Sequence, residues 1–129
     1  MGAFTSFEEM EVWKKSIHLT RMVYQITIQP AFAKDYYLVN QIRKSAVSIA
    51  SNIAEGFERD GNREFINFLY IAKGSCGELR CQLYIALELQ YMTQESFQEI
   101  YNFAKEISVS INKLIKYLQS SDYKGIKYK

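Results

Sequence analysis

Residues of the types that carry out catalysis are few in this sequence, and their spacing forms no catalytic set. His18 is the only histidine, and no glutamate stands three residues before it, so the Glu-x-x-His motif of di-iron helical bundles is absent. Cys76 and Cys81 are the only cysteines. On a helix they lie about 500° apart and on different faces, and one distant histidine does not complete a zinc site. We therefore predict no enzyme, no metal and no cofactor.

A second set of residues is suited to binding rather than reaction. Lysines alternate with tyrosines towards the C-terminus, and the candidate nucleic-acid contacts are Lys113, Lys116, Tyr117, Lys124 and Lys127. Lysines contact phosphates, and tyrosines stack on unpaired bases. Residues 113–129 hold five lysines and one acid, a local charge of +4, whereas the net charge of the whole chain is only +2. A solvated helix end with a frayed terminus explains the same residues without any ligand.

Amphipathic segments with helical periodicity must position these residues. We predict helices at about 6–28, 34–59, 62–91 and 94–120, followed by a flexible tail at 121–129. Ser6 and Thr93 are candidate N-caps, Pro30 ends the first helix, and Asp60-Gly61 marks a turn. No segment alternates like a strand, and short connections favour antiparallel neighbours. The prediction is one all-α domain, an antiparallel up-down-up-down four-helix bundle.

Each predicted helix has an apolar stripe at steps of three and four residues, which should face the core. In the first helix the stripe is Met10, Trp13, Ile17 and Tyr24, with Thr20 between. In the second it is Val39, Ile42, Ala46, Ile49 and Ile53. In the third it is Phe65, Leu69, Ala72, Cys76, Leu79, Leu83 and Ala86. In the fourth it is Phe97, Ile100, Ala104, Ile107, Ile111, Leu114 and Leu118.

The second helix contains many small and polar residues for a buried helix. In an antiparallel hairpin around Asp60-Gly61 they lie level with Gly74, Ser75 and Gly77 of the third helix, so we expect small residues to face small ones and the two backbones to approach closely. The same register predicts an ion pair between Arg43 and Glu78, since either charge alone there would be costly. Asn52 and Ser75 are expected to bond to each other, to the backbone or to water.

These residues carry a family resemblance. Ser48-Ile-Ala-Ser-Asn-Ile-Ala-Glu-Gly-Phe57 resembles the signature of the four-helix-bundle proteins named for reading frames inside intervening sequences of large-subunit ribosomal RNA genes. Supporting matches are Glu11-Val-Trp-Lys14, Phe65-Ile-Asn-Phe-Leu-Tyr-Ile-Ala72 and Gly74-Ser-Cys-Gly-Glu-Leu79. The residues matched to the family motif are Arg43, Ser48, Asn52, Glu55, Gly56, Gly74, Ser75 and Glu78. Ala50 and Cys76 depart from it, and without the proline usual at position 50 the second helix should be straighter.

The resemblance implies a bundle that assembles as a ring-shaped homopentamer. It also implies similarity to accessory proteins of diversity-generating retroelements, whose pentameric barrel binds nucleic acid. The family name states a gene location rather than an activity. The resemblance thus favours a non-enzymatic, oligomeric protein that binds RNA or DNA through a basic ring surface.

A different class of function fits the aromatic residues equally well. The sequence has ten tyrosines and eight phenylalanines, more than one small core requires, and aromatic side chains are favoured at interfaces. The alternative is therefore an oligomeric scaffold that recruits an unidentified protein and binds no nucleic acid. A continuous basic face would favour the first function, and lysines paired with Glu95, Glu99 and Glu106 would favour the second. Reduced cysteines and the lack of an apolar leader predict a cytoplasmic protein with no membrane partner.

Overall fold

The computed structural model of the protein describes residues 4–121, and this part of the chain is helical with no strand. A short 3₁₀ helix, Phe7–Glu9, precedes five α-helices. They are α1 (Glu11–Thr27), α2 (Pro30–Ala33), α3 (Tyr36–Glu58), α4 (Gly61–Glu88) and α5 (Gln94–Ser120). None of the helices in this range is long and apolar enough to cross a membrane. Four of the five are long, as predicted.

The four long helices pack side by side into a bundle. The most extensive contact joins α3 to α4, and α4 also packs along α5. Helix α1 lies against both α3 and α5. The stripes predicted for α3, α4 and α5 are confirmed, because every residue in them is buried. Strict spacing at three and four residues was therefore a sufficient guide to the core in these three helices.

The stripe predicted for the first helix is wrong at Ile17 and Tyr24, whereas Met10 is buried and Trp13 packs against the core. Ile17 and Tyr24 are 44% and 41% exposed. The side that faces the core consists of Val12, Ser16, Leu19, Val23 and Thr27. Ser16 is buried because its hydroxyl donates to the Val12 carbonyl 2.8 Å away, which satisfies the polar group inside the helix. The predicted stripe contains Ile17, which is exposed, whereas the buried side contains Ser16. The predicted stripe was therefore the more apolar of the two in the sequence.

The helix boundaries follow their local signals with two corrections. Ser6 precedes the 3₁₀ helix rather than α1, and its side chain makes no capping hydrogen bond. Pro30 does not directly end α1, which stops at Thr27; it occupies the first turn of the short α2. The predicted cap is confirmed at Thr93, whose hydroxyl accepts from the Ser96 N–H at 3.1 Å.

The turn between α3 and α4 lies where the sequence placed it. Gly61 has a φ of 82°, a left-handed conformation that glycine adopts without steric cost. Asp60 precedes α4 at the N-cap position. At the opposite end of α3, Asp35 accepts from the Leu38 N–H at 3.0 Å and from the Tyr91 hydroxyl at 2.9 Å. One carboxylate thus caps α3 and fastens it to the segment between α4 and α5.

Candidate nucleic-acid interface

The polar residues of the family motif form a hydrogen-bond network between α3 and α4. The hydroxyls of Ser48 and Ser75 are 2.9 Å apart across the seam. The Asn52 amide donates to the Ser48 carbonyl at 2.8 Å and to the Ser48 hydroxyl at 3.0 Å. Ser75 is buried and the other two are half-buried. The expected pairing of Asn52 and Ser75 therefore runs through Ser48, and the network joins the two helices rather than forming a reaction centre.

The predicted ion pair between Arg43 and Glu78 is wrong. Arg43 turns towards α1, where its Nε donates to the Thr27 hydroxyl at 2.9 Å and its guanidinium lies 4.2 Å from the ring centroid of Tyr24. The hairpin register gave the height of Arg43 along α3 but not its direction. Five residues before Ser48, it points about 140° away from the α4-facing side. Glu78 lines a groove between α3 and α4 with Lys44.

Close backbone approach occurs at a different glycine from those predicted. A Cβ at Gly74 would meet nothing within 4 Å, and at Gly77 only the Arg80 Nη2 at 3.8 Å. The prediction of close packing at these two positions is therefore wrong. At Gly56 a Cβ would lie 2.6 Å from the Cβ of Phe68, a distance that real side chains do not show. The glycine that allows α3 and α4 to approach is thus the one at the end of the family signature.

The remaining candidate reactive residues form no site in the part of the chain that is described. Residues 4–121 contain no group of three side chains placed to hold a metal ion. Glu55 is exposed and pairs with Arg59 one turn later, at 2.9 Å. His18 is exposed, and its ring meets that of Phe103 at 5.4 Å. Cys76 and Cys81 are free thiols; burial raises the pKa of Cys76 to about 12, which makes it a poor nucleophile.

Of the residues predicted to contact nucleic acid, Lys113, Lys116 and Tyr117 lie within the described part of the chain. Lys113 is exposed beside Lys15 in a cleft of about 350 Å³ between α5 and the start of α1. Lys116 is exposed one turn later on α5. Tyr117 is half-buried and packs against the core, which makes it a poor surface for base stacking. Lys124 and Lys127 lie outside the described residues.

A basic and aromatic surface lies instead along the outer side of the contact between α4 and α5. We call it the α4–α5 strip, and it consists of Tyr70, Lys73, Arg80, Tyr84, Tyr101, Lys105 and Lys116. The α4 members recur at steps of three, seven and four residues, and the α5 members at steps of four and eleven. These steps keep each set on one side of its helix.

Tyr84 and Tyr101 form the centre of the strip. Their ring centroids are 5.4 Å apart, and both rings contact the buried Phe97, at 4.9 and 5.3 Å. The Arg80 guanidinium lies 5.9 Å from the centroid of Tyr101. A hydrogen bond from Arg80 holds the pKa of the Tyr101 hydroxyl below its ordinary value, and Tyr101 in turn raises the pKa of Tyr84. The aromatic rings and the cation are therefore held against one another.

The acids within the two stretches that carry the strip face other helices, and Glu88 lies one turn beyond Tyr84. Between Tyr70 and Tyr84 the only acid on α4 is Glu78, which lines the groove towards α3. From Tyr101 to the end of α5 the only acid is Glu106, which forms an ion pair with Lys15 of α1. The four cations of the strip consequently have no neutralising carboxylate among these stretches of α4 and α5. Such a surface attracts anions.

Comparison with known proteins identifies the family. The sequence model of the 23S rRNA-intervening sequence proteins matches residues 8–113. The chain belongs to this family. A crystal structure of a protein of unknown function from the S23 ribosomal protein family of Bacteroides thetaiotaomicron is similar, with a TM-score of 0.75 and 30% sequence identity. The alignment covers 81% of this chain and 98% of that one. No curated protein matches significantly.

The sequence of this intervening-sequence protein did not predict most of the residues of the strip. The C-terminal lysines attracted attention because they are adjacent in the chain, whereas Lys73, Arg80 and Lys105 come together only when α4 packs on α5. A usable signal was present. Residues 70–84 and 101–120 repeat basic and tyrosine residues at helical spacing, and each of these two stretches contains a single acid. Lys116 is the one residue that belongs to both the prediction and the strip.

Proposed function

We propose that this intervening-sequence protein is a cytoplasmic, non-enzymatic homo-oligomer that binds nucleic acid through the α4–α5 strip. The observation that carries the proposal is the placement of Lys73, Arg80, Lys105 and Lys116 on one face while Glu78 and Glu106 point elsewhere. Phosphate contacts by lysine and arginine supply most sequence-independent affinity for nucleic acids. Repetition of the strip in an oligomer would multiply this charge.

Exposed apolar side chains support self-association. Ile17 and Tyr24 on α1 and Val47 on α3 are each more than 40% exposed, and these two helices pack against each other. Contiguous exposed apolar surface is typical of protein contacts. We propose that this side of the bundle forms the subunit contact, and the family resemblance favours a ring of five.

Reversed order of contacts supports an antiparallel, up-down-up-down arrangement of the four long helices. Between α3 and α4, Ser48 meets Ser75 whereas the later Phe57 meets the earlier Phe65. The same reversal holds between α4 and α5, where Tyr84 contacts the start of α5 and Asn62 bonds to the Leu118 carbonyl. Short connections between neighbours are consistent with this arrangement.

The proposal is tested by fluorescence anisotropy of labelled single-stranded RNA, duplex RNA and DNA with nuclease-treated protein across a salt series. One variant replaces Lys73, Arg80, Lys105 and Lys116 by Gln. A matched control replaces four exposed cations on other surfaces by Gln, namely Lys14, Arg21, Lys34 and Lys44. Both variants change the net charge equally. We expect only the strip variant to weaken binding, with the salt slope falling by about 0.7–0.9 for each phosphate that the protein no longer neutralises.

Two results would contradict the proposal. Equal weakening in both variants would show a diffuse charge effect, and no binding at low salt would remove nucleic-acid binding altogether. A third variant, with Gln at Lys113, Lys124 and Lys127, measures the contribution of the lysines nearest the C-terminus. Light scattering at several protein concentrations measures the oligomeric state in the same buffers, and a monomer throughout would contradict the oligomer.

A second candidate is a protein-interaction scaffold. Its support is the pair Tyr36 and Tyr37 at the start of α3, which are 78% and 74% exposed and lie outside the strip. Exposed tyrosines are frequent in protein interfaces. Absence of nucleic-acid binding together with a stable oligomer would favour this function.

A further inference from the structure

We propose that the α4–α5 strip binds single-stranded nucleic acid, with unpaired bases stacking on Tyr84 and Tyr70 while phosphates contact the neighbouring cations. This inference rests on the proposed function and specifies its ligand. Its basis is the combination of exposed tyrosine rings with the cations that lie between and beside them. A surface that bound phosphates alone would need the cations but not the rings.

The ring of Tyr84 is exposed to solvent and held in place by its neighbours, which suits it to stacking on a base. Its side chain is 54% exposed, yet the buried Phe97 and the half-buried Tyr101 hold its ring at centroid distances of 4.9 and 5.4 Å. A ring that is already fixed loses little conformational freedom when a base stacks on it. Base stacking on aromatic side chains tolerates any sequence, because every base has a π-face.

Tyr70 offers a second platform on the same side of α4. It is 49% exposed, and its hydroxyl accepts from the Gln119 amide at 3.4 Å. Fourteen residues separate it from Tyr84, about 21 Å along the helix. That span corresponds to about six nucleotides at the 3.4 Å spacing of one stacked strand. Lys73 and Arg80 lie between the two tyrosines, where the phosphates of such a strand would pass.

The preference for a single strand follows from what each ligand can offer. A duplex presents its phosphates outward but keeps its bases paired and stacked, so the exposed rings would gain no partner. A single strand supplies phosphates and free base faces together. The strip therefore favours unpaired over paired nucleic acid through its tyrosines, whereas its cations attract both.

The experiment compares a labelled oligo(dT) of about twelve nucleotides with an abasic oligomer of the same backbone and with a duplex. The test variant is Tyr84→Leu, which keeps apolar bulk but removes the ring, and Tyr84→Phe restores the ring. The matched control is Tyr37→Leu, which removes a more exposed ring outside the strip. Tyr70→Leu provides an independent variant if Tyr84→Leu is poorly folded by circular dichroism.

We expect Tyr84→Leu to weaken oligo(dT) binding by about 5- to 150-fold, the range for loss of one stacked base. Binding of the abasic oligomer should be weaker and indifferent to the variant, and both Tyr84→Phe and Tyr37→Leu should bind like the native protein. Equal loss with the abasic oligomer would overturn the inference. Oligo(dT) binding that needs the cations but ignores Tyr84→Leu and Tyr70→Leu, or duplex binding as tight as oligo(dT) binding, would overturn it too, while leaving the proposed function standing. No binding by any probe would overturn both.

Discussion

The two sides of α4 meet their neighbours in different ways. Towards α3 the contact is close and internally satisfied: Gly56 lets the helices approach at Phe68, and Ser48 bonds to Ser75. Towards α5 the core contact is equally buried, but its outer edge carries the rings and cations of the α4–α5 strip. One side of the helix is thus committed to packing, whereas the other also presents groups to solvent.

This difference separates residues that hold the bundle from residues available to a ligand. The family signature lies on the α3 side, where its polar groups already have partners within the chain. Substitutions there should change stability. Substitutions in the outer part of the strip should change ligand binding and leave stability nearly unchanged, because exposed side chains contribute little to folding. Four predictions test this division.

The largest difference expected is in thiol reactivity on α4 itself. Cys76 lies in the core between the two contacts and Cys81 is exposed. With a pKa of about 12, Cys76 has a thiolate fraction at pH 8 on the order of a thousandfold below that of an ordinary cysteine. Titration with a disulfide reagent should show one fast thiol per chain, with the second released by denaturant. Loss of the fast phase in Cys81→Ser is the control, and two fast thiols would mean that the core is open.

Gly56→Ala should destabilise the α3 side. The added methyl would lie 2.6 Å from the Phe68 Cβ, and such overpacking costs about 1–3 kcal/mol, more than the gain in helix propensity. Gly74→Ala is the matched control, since a Cβ there meets nothing within 4 Å and should add up to about 1 kcal/mol of stability. Urea denaturation measures both. Equal effects of the two substitutions would contradict the close approach at Gly56.

Ser75→Ala should have a smaller effect on the same side. It removes the hydrogen bond that joins α4 to Ser48, and a typical intramolecular hydrogen bond contributes about 1 kcal/mol. The exposed Ser51→Ala on α3 should stay within about 0.5 kcal/mol of the native protein. Chemical denaturation measures the free energy of unfolding of both variants and distinguishes the two effects. A native-like midpoint for Ser75→Ala would show that the serine network contributes no net stability.

The smallest effect concerns the strip and is a change in titration. Arg80 lowers the pKa of Tyr101 by hydrogen bonding, so Arg80→Gln should raise that pKa and delay formation of the phenolate as the pH increases. The ring carbon signal of Tyr101 in an NMR titration reports it directly. Lys116→Gln is the control, because Lys116 does not contribute to the titration of Tyr101. An unchanged Tyr101 titration in Arg80→Gln would place the guanidinium away from the hydroxyl.

Sequence periodicity predicted the packing of most of the bundle. The stripes of α3, α4 and α5 were predicted correctly because an apolar residue stands at every successive step of three or four positions. Helix α1 was misread because buried Ser16 satisfies its own hydroxyl within the helix. The Arg43–Glu78 pairing failed for a different reason. A register argument fixes heights along two helices but not the direction in which each side chain leaves its helix.

The candidate interface was less predictable than the fold. The C-terminal lysines stood out because they cluster in the chain, and of these Lys113 and Lys116 are exposed one turn apart on α5. Tyr84 and Tyr101 are seventeen positions apart, and only the packing of α4 on α5 brings their rings together. Their contact with Phe97 depends on the same packing.

The sequence by itself determined the helical class, the turn at Gly61, the cap at Thr93 and the apolar faces of three helices. Each of these depends on residues within a few positions of one another, where backbone conformation and helical spacing act directly. Tertiary structure alone decided which face of α1 is buried, where Arg43 points and which cations share a surface. Those outcomes depend on contacts between helices far apart in the chain, and the bundle selects them by burying some side chains and leaving others at its surface.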